Sequence, residues 1–404
     1  MQTENDFIKK SNSYDPLFII DGTNKCYQSS KSNYIIPFAY YSEKQFVYNS
    51  VKKIDENDRV SIKKYTDDFD EILKVLRLKR TGYELFYNVS NLCRAILERA
   101  FKGKSFEELD DFENEKLQFL KAGQYITYNN NETTTKNTTT YDVNSFYGYV
   151  LKSSSFAFNF GKGQTRMIDE ITNLYENQYF HINILDNNTL PFYMKTDKKN
   201  LWVTNWDILI FNECGAKYEL NKDFTFNNYF YDKSNSARNS FLEKHIEPIY
   251  KLKPTNSLVK NVLSKIIGVM FTKKLLTKHF DEFIEEDDVR IKGLTLTNME
   301  VDLNGNDVFY YSSSHADINQ HNIARNKPFL FAFIKYKFLY LIKPVIQNRI
   351  PFYRIYCDSI TCEKNEYMDA LVNDKCGGFK IENKIFNGQV GNFENTHNFI
   401  PKNL

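Results

Sequence analysis

The sequence predicts an α+β fold on three observations. Short apolar runs broken by polar residues open the chain, three-to-four apolar spacing marks helices after them, and a strongly apolar helix precedes a late strand pair. The 404 residues allow two or three domains, and 42% hydrophobic with 16% aromatic content supplies ample core, so a disordered chain is excluded. With 53 Lys+Arg against 51 Asp+Glu the net charge is +2, so a nucleic-acid partner would be met by a local patch rather than a global field.

Taken in order, residues 16–50 (LFII, YIIPFAYY, QFVY) read as a small sheet, and residues 69–121 read as helices. In NVSNLCRAILERAFKG, Leu92, Ala95, Ile96 and Ala100 share one helical face and Gly103 is the stop. The tract NNNETTTKNTTT (129–140) reads as a mobile hairpin loop. Residues 141–232 mix strands and turns, 236–278 are mostly helical, 288–312 form a hairpin insertion, 328–348 form one apolar helix, and RIPFYRIYCDSITCEK is a strand pair. The six cysteines (26, 93, 214, 357, 362, 376) contain no CxxC pair and no histidine at zinc-ligand spacing, so reduced thiols are expected. The longest apolar stretch, FLFAFIKYKFLYLIKPVI, is cut by Lys335, Lys337 and Lys343, and the N-terminus has no apolar leader core. The expectation is an intracellular protein, of viral or host cytoplasm or an organelle matrix, with no membrane partner.

Two acids could carry chemistry. In TTTYDVNSFYGYVL an apolar strand delivers Asp142 at its end and then turns into a helix-like segment bearing Ser145, Tyr147 and Tyr149. In RIYCDSITCEK, Asp358 falls within the β-prone run Ile355 to Ile360, where an unpaired carboxylate is expensive to bury. If their strands are neighbours, the two carboxylates can share a pair of Mg²⁺ or Mn²⁺ ions, an arrangement that serves in-line phosphoryl transfer; the alternative is two ordinary turn or strand-end aspartates. Between them, in PTNSLVKNVLSKIIGVMFTKK, Leu258, Val262, Ile266 and Val269 make one helical stripe, with Lys260, Ser264 and Ile267 on an adjacent face. Lys260 so placed can meet a triphosphate as a point charge, and Gly268 permits close approach of a base pair, whereas a basic amphipathic helix can equally be a solvated surface.

The run YDVNSFYGYVL, the Lys260 helix ending in Gly268, and IYCDSI together resemble, in order, the three polymerase motifs of family B DNA polymerases of the protein-primed branch found in viruses, plasmids and organelles. FLKAGQY, with Gly123 and Tyr125, resembles that branch's template-strand motif. NQYFHINIL and LWVTNWDILIFNECGAKYEL resemble the region leading into its insertion, and DKCGGFKIEN the segment after the last catalytic strand. About residues 80–385 match in order. The resemblance implies a right-hand polymerase: a degenerate exonuclease-like region (1–115), a first palm part with insertion (116–235), helical fingers (236–278), and a second palm part with hairpin and reduced thumb (279–404).

It also implies roles. Asp142 and Asp358 would hold two Mg²⁺ or Mn²⁺ ions, Lys260, Ser145, Tyr147 and Gly268 the nucleotide, and Gly123, Tyr125, Lys265, Lys273 and Lys274 the DNA. The implied partners are template-primer DNA and dNTP, with a terminal protein or accessory subunit as a further candidate. The departures are specific. Phe146 and Gly148 replace the first motif's Leu and Pro; Ser264, Lys265 and Ile267 replace the second motif's Asn, Ser and Tyr; Tyr356 and Cys357 replace the third motif's first Asp and its Thr. In a rival register of the third motif Ile360 replaces the second Asp. Val89 or Ser90 stands where an exonuclease acid belongs, so no proofreading is expected, and FENTHNFIPKNL lacks the family's Lys-x-Tyr element. A catalytically inactive, polymerase-derived DNA-binding or structural subunit is the alternative function.

Overall fold

The structure is a computed structural model. It describes residues 56–78, 89–118, 138–191, 198–271, 273–274, 277–285, 295–301, 306–312, 318–319, 322–348, 350 and 352–382, together with strand backbone at 2–3, 17–20, 25–28, 34–42, 45–48 and 52–53. Helices and antiparallel sheets divide between two compact units, one made of Met1–Lys102 with Pro248–His321, the other of Gly103–Glu247 with Asn322–Leu404. The mixed α and β content matches the expectation from sequence. Among the described residues no helix is long and apolar enough to cross a membrane.

In the first unit the N-terminal strands, Leu17–Ile20, Lys25–Gln28, Tyr34–Ser42 and Gln45–Tyr48 among them, pair antiparallel in one sheet, as the apolar runs predict. Helix Val89–Ala100 buries Leu92, Cys93 and Ile96, and it packs against helix Val259–Met270. The Cys93 thiol reaches the Val262 carbonyl at 3.6 Å across that contact. Gly103 follows with φ +78, a left-handed value that favours glycine and fits the predicted stop. Helix Glu56–Val75 is tied to the segment that leads into helix Val259–Met270 through Asp68, whose carboxylate accepts from the Ser257 amide at 3.0 Å and hydroxyl at 2.5 Å. Within the predicted hairpin insertion, 288–312, strands Thr295–Val301 and Asp307–Ser312 pair and Thr277–Phe280 adds a third strand, while 288–294 and 302–305 lie outside the described residues.

The second unit carries two main sheets. One orders Asn200–Thr204, Gln178–Asp186, Asn228–Phe230 and Gln164–Arg166, with Lys217–Leu220 also on Gln178–Asp186. Its apolar face, Phe180, Ile182 and Val203, packs on Ile208 and Phe211 of helix Asn205–Cys214. That helix starts in a capping box between Thr204 and Asp207 and stops at Gly215, φ 68. The apolar 328–348 stretch forms helix Lys327–Leu341 and a separate short helix Lys343–Gln347, because Pro344 lacks the N–H that would continue the first. Phe329, Leu330 and Phe333 are fully buried, and Phe333 meets Trp206 at 4.5 Å between ring centroids.

The other sheet orders Phe352–Tyr356, Ser359–Glu363, Thr138–Val143 and Phe379–Glu382, all antiparallel. Period-two alternation sends Tyr141, Val143, Ile360, Cys362 and Phe379 to one buried face, which leaves Asp142, Ser359, Thr140, Lys380 and Glu382 to share the opposite one. Thr138–Thr140, read as the end of a loop, are strand; the rest of the 129–140 tract lies outside the described residues.

Candidate active site

Asp142 is the penultimate residue of its strand, and the chain then reverses at Asn144 and Ser145 into helix Phe146–Lys152. Ser145 has φ 52 and ψ 48, a left-handed conformation that costs a non-glycine residue of order 1 kcal/mol and recurs at functional turns. Segment 374–378 braces the turn. The Asn144 side chain donates to the Asp374 carbonyl at 3.0 Å, its amide to the Gly378 carbonyl at 2.7 Å, and the Gly377 amide returns to the Asn144 carbonyl at 2.9 Å. Only glycine fits at 377, where φ is +88 and a Cβ would lie 2.3 Å from the Tyr149 ring.

Asp358 does not sit inside a strand as the β-prone run suggests. Tyr356 pairs with Ser359, so Cys357 and Asp358 form the two-residue turn of a hairpin, with Cys357 at φ 56. A turn of this kind needs a left-handed residue, and the sequence offered Cys where Gly or Asn would have signalled it. The turn lands beside the first acid: Ser359 is the strand partner of Asp142, and the Val143 amide donates to the Asp358 carbonyl at 2.8 Å. The two aspartates predicted to meet therefore stand at neighbouring strands of one sheet.

Asp358 feels this neighbour. Burial, and after it the neighbouring charge of Asp142, push the Asp358 carboxyl up to about 7, with Lys380 opposing both. Lys380, the strand partner of Asp142, places its ammonium 2.8 Å from Asp142 Oδ2 and 3.2 Å from Glu382 Oε1. Burial alone would lower the Lys380 pKa, but its bonds to Asp142 and Glu382 prevail and hold it above the usual lysine value. Behind the sheet Tyr141 donates to Asp369 at 2.8 Å; burial and this bond raise the phenol's pKa, and the bond fixes the strand from its apolar side.

Lys380 and Glu382 were not singled out from sequence. The alternation in FKIE places them on one face, yet which strand that face would adjoin follows only from the sheet order. Two hard carboxylates on the open face suit Mg²⁺ or Mn²⁺, which take few protein ligands and keep several waters. Among the described residues there is no group of three or more His, Cys, Asp or Glu side chains arranged to hold a metal, so the expected ions would rest on the aspartate pair.

Of the other expected site residues, Ser145 and Tyr147 belong to this unit. The Ser145 carbonyl accepts from the Cys376 thiol at 3.8 Å, and the half-buried Tyr147 ring is tilted against Phe146 at 6.0 Å. Lys260, Lys265 and Gly268 lie on helix Val259–Met270 of the first unit. Lys260 is exposed, Lys265 half-buried, and a Cβ at Gly268 would meet open space. Ile267 corrects the sequence reading: it is buried in the core beside Val262, Leu263 and Ile266 rather than sharing the Lys260 face, and Val269 is half-exposed. The Ser264 hydroxyl is turned back onto the Lys260 carbonyl at 2.8 Å. Lys273 and Lys274 form a short strand paired with Ile318–Asn319. Gly123 and Tyr125 lie outside the described residues.

No family model matches the chain, and no curated protein does. Among solved structures it is similar to Phi29 DNA polymerase complexed with primer-template DNA and incoming nucleotide substrates, with a TM-score of 0.48 and 13% identity over 87% of this chain and 68% of that one. It is similar also to Phi29 DNA polymerase complexed with single-stranded DNA, with a TM-score of 0.49 and 14% identity over 87% of this chain and 67% of that one. For the post-translocation binary complex of the same polymerase the TM-score is 0.47 at 14% identity, over 86% and 67%.

Proposed function

We propose that this chain is a template-directed DNA polymerase without proofreading, acting in replication of a viral, plasmid or organellar element. The observation that carries the reading is the placement of Asp142 and Asp358 beside one another on one sheet, with burial and like charge raising the Asp358 pKa to about 7. Mg²⁺ or Mn²⁺ held there would neutralise a transferring phosphoryl group and activate the attacking 3′ hydroxyl. The chain's own part is positioning. The left-handed turns at Ser145 and Cys357 bring the two acids to one end of the sheet, and segment 374–378 holds the first turn rigid. Tyr147, on the helix that follows, offers a ring for the incoming sugar.

A second reading, a DNA-binding subunit descended from a polymerase but without turnover, draws support from Lys380, whose ammonium already neutralises Asp142. Incorporation of dNTP on a primed template with Mg²⁺ or Mn²⁺ separates the two. Under the polymerase reading the wild type extends the primer, while Asp142→Asn and Asp358→Asn bind DNA without extending it. Primer extension that is equal in wild type and both variants would remove the assignment, and a wild type that binds primed DNA without extending it would establish the second reading.

A further inference from the structure

The open face of the Thr138–Val143 sheet holds more charge than two aspartates. Lys380 stands opposite Asp142 in register and Glu382 opposite Thr140, so alternation puts both on the face that carries Asp142. Asp358 feels the charges of Asp142, Lys380 and Glu382. Two carboxylates thus hold one ammonium, at 2.8 Å and 3.2 Å, and its charge is felt by a third, Asp358.

We propose that Lys380 takes the place of one of the two cations such a site would otherwise hold, so that the chain binds a single divalent ion between Asp142 and Asp358. The inference rests on the polymerase reading for the identity of the ion. Its physical basis is local. Oδ2 of Asp142 is committed to the ammonium, and a second divalent ion near that oxygen would sit a few ångströms from a fixed positive charge, in a half-buried setting where screening is weak. A lysine is a compact point charge on a flexible stem, suited to sit where a small cation would and to bridge carboxylates from two positions. Glu382 is then a positioning residue: it holds Lys380 from the same strand, and would become a third acidic neighbour of any ion that replaced the lysine. The arrangement weakens the hold on the remaining ion, since the lysine repels it.

Counting Mn²⁺ ions bound by the full chain, by electron paramagnetic resonance titration, tests this without reference to turnover. The wild type should bind one ion and Lys380→Arg one, whereas Lys380→Met should bind two, with its first ion held about tenfold more tightly because a neighbouring like charge is gone. Lys380→Gln, measured alongside with unfolding midpoints for all four proteins, provides a second neutral variant should Met fail to fold. Two ions in the wild type would overturn the proposal. So would neutral variants that match wild type in count and affinity, or a Lys380→Arg protein that gains an ion as they do. If the counts follow expectation while no dNTP is incorporated, the lysine's role stands and the polymerase reading falls. Primer extension by a wild type holding two ions has the opposite meaning: the polymerase reading stands and the lysine's role falls. No ion in any variant sinks both.

Discussion

Glu113 and Asp358 are both carboxylates raised by burial, yet they sit in opposite circumstances. Glu113, with a side chain only 1% exposed, has a dedicated counter-ion: after burial the largest influence on it is Arg325, which lowers its pKa, and the Tyr231 hydroxyl donates to it at 2.8 Å. It also closes a capping box, since the Asp110 amide donates to Glu113 at 3.0 Å and the Glu113 amide to Asp110 at 2.8 Å at the start of helix Asp111–Gln118. For Asp358 the second influence is another carboxylate, Asp142, and it pushes the same way as burial. A perturbed acid alone therefore marks nothing. What separates Glu113 from Asp358 is the sign of the charge that acts on each most strongly after burial, because structure gains from a fixed opposite charge while a cation-binding site needs like charges left partly uncompensated.

The largest effect should fall on activity. If Asp142 and Asp358 are the reacting pair, Asp142→Asn or Asp358→Asn lowers primer extension by on the order of 10³-fold or more, whereas Glu113→Gln changes the rate per folded molecule little. Single-turnover extension assays, normalised to folded protein, measure both. Comparable losses in Glu113→Gln would erase the distinction between the two acids.

Stability should show the reverse ranking. Arg325 is fully buried and donates to the carbonyls of Phe160 at 3.0 Å, Glu107 at 2.6 Å and Glu108 at 2.9 Å as well as to Glu113 at 3.3 Å. Arg325→Met strands a buried carboxylate and three carbonyls, a loss of about 3–5 kcal/mol. Adding Glu113→Leu to Arg325→Met should recover part of this by removing the orphaned charge. Urea midpoints of the single and double variants test it, and a cost below about 1 kcal/mol for Arg325→Met would show that the pair is dispensable.

The pH response of Asp358 follows from the direction of its shift. Its folded pKa, about 7, lies above the ordinary aspartate value of 3.8, so its contribution to stability is fully present below about pH 4 and is lost as pH rises through 7. In the absence of divalent ions the wild type should lose about 2–4 kcal/mol relative to Asp358→Asn between pH 4 and pH 8. Paired denaturation curves at the two pH values measure this difference directly, and a pH-independent gap between the two proteins would mean that Asp358 is not held among like charges.

How much of this was legible depended on whether the deciding contacts were local. The strand ending in Asp142 and its turn into a helix could be read from TTTYDVNSFYGYVL, because alternation followed by three-to-four spacing is a property of consecutive residues. Asp358 could be found as a polar residue in an apolar run, but its turn could not, since Cys357 in a left-handed conformation carries none of the usual turn chemistry. Lys380 and Glu382 were hidden for another reason. Their importance comes from sheet order, where Phe379–Glu382 joins the far edge of Thr138–Val143, and no short window specifies that pairing. Ile267 was misplaced because 3.6-residue periodicity leaves positions at the border of a stripe ambiguous, and the packing of Val89–Ala100 on this helix widened its buried face.

The smallest effect concerns Lys260, and it sharpens the comparison from the side of an exposed charge. Lys260 projects from helix Val259–Met270 on its exposed side, and the residues that anchor that helix are its apolar neighbours. Lys260→Ala should therefore change stability by less than about 0.5 kcal/mol, as solvated surface substitutions do. If Lys260 meets the triphosphate, the same change raises the apparent KM for dNTP about tenfold, the equivalent of one point-charge contact, with primed-DNA affinity held. Lys273→Ala with Lys274→Ala should act the other way, weakening binding to every DNA sequence alike and flattening its salt dependence while leaving the KM for dNTP unchanged. Steady-state dNTP titrations and DNA binding at two salt concentrations read both. Were Lys260→Ala silent in each, the helix would be a solvated surface element, and charge on the first unit would contribute to binding only through the DNA track.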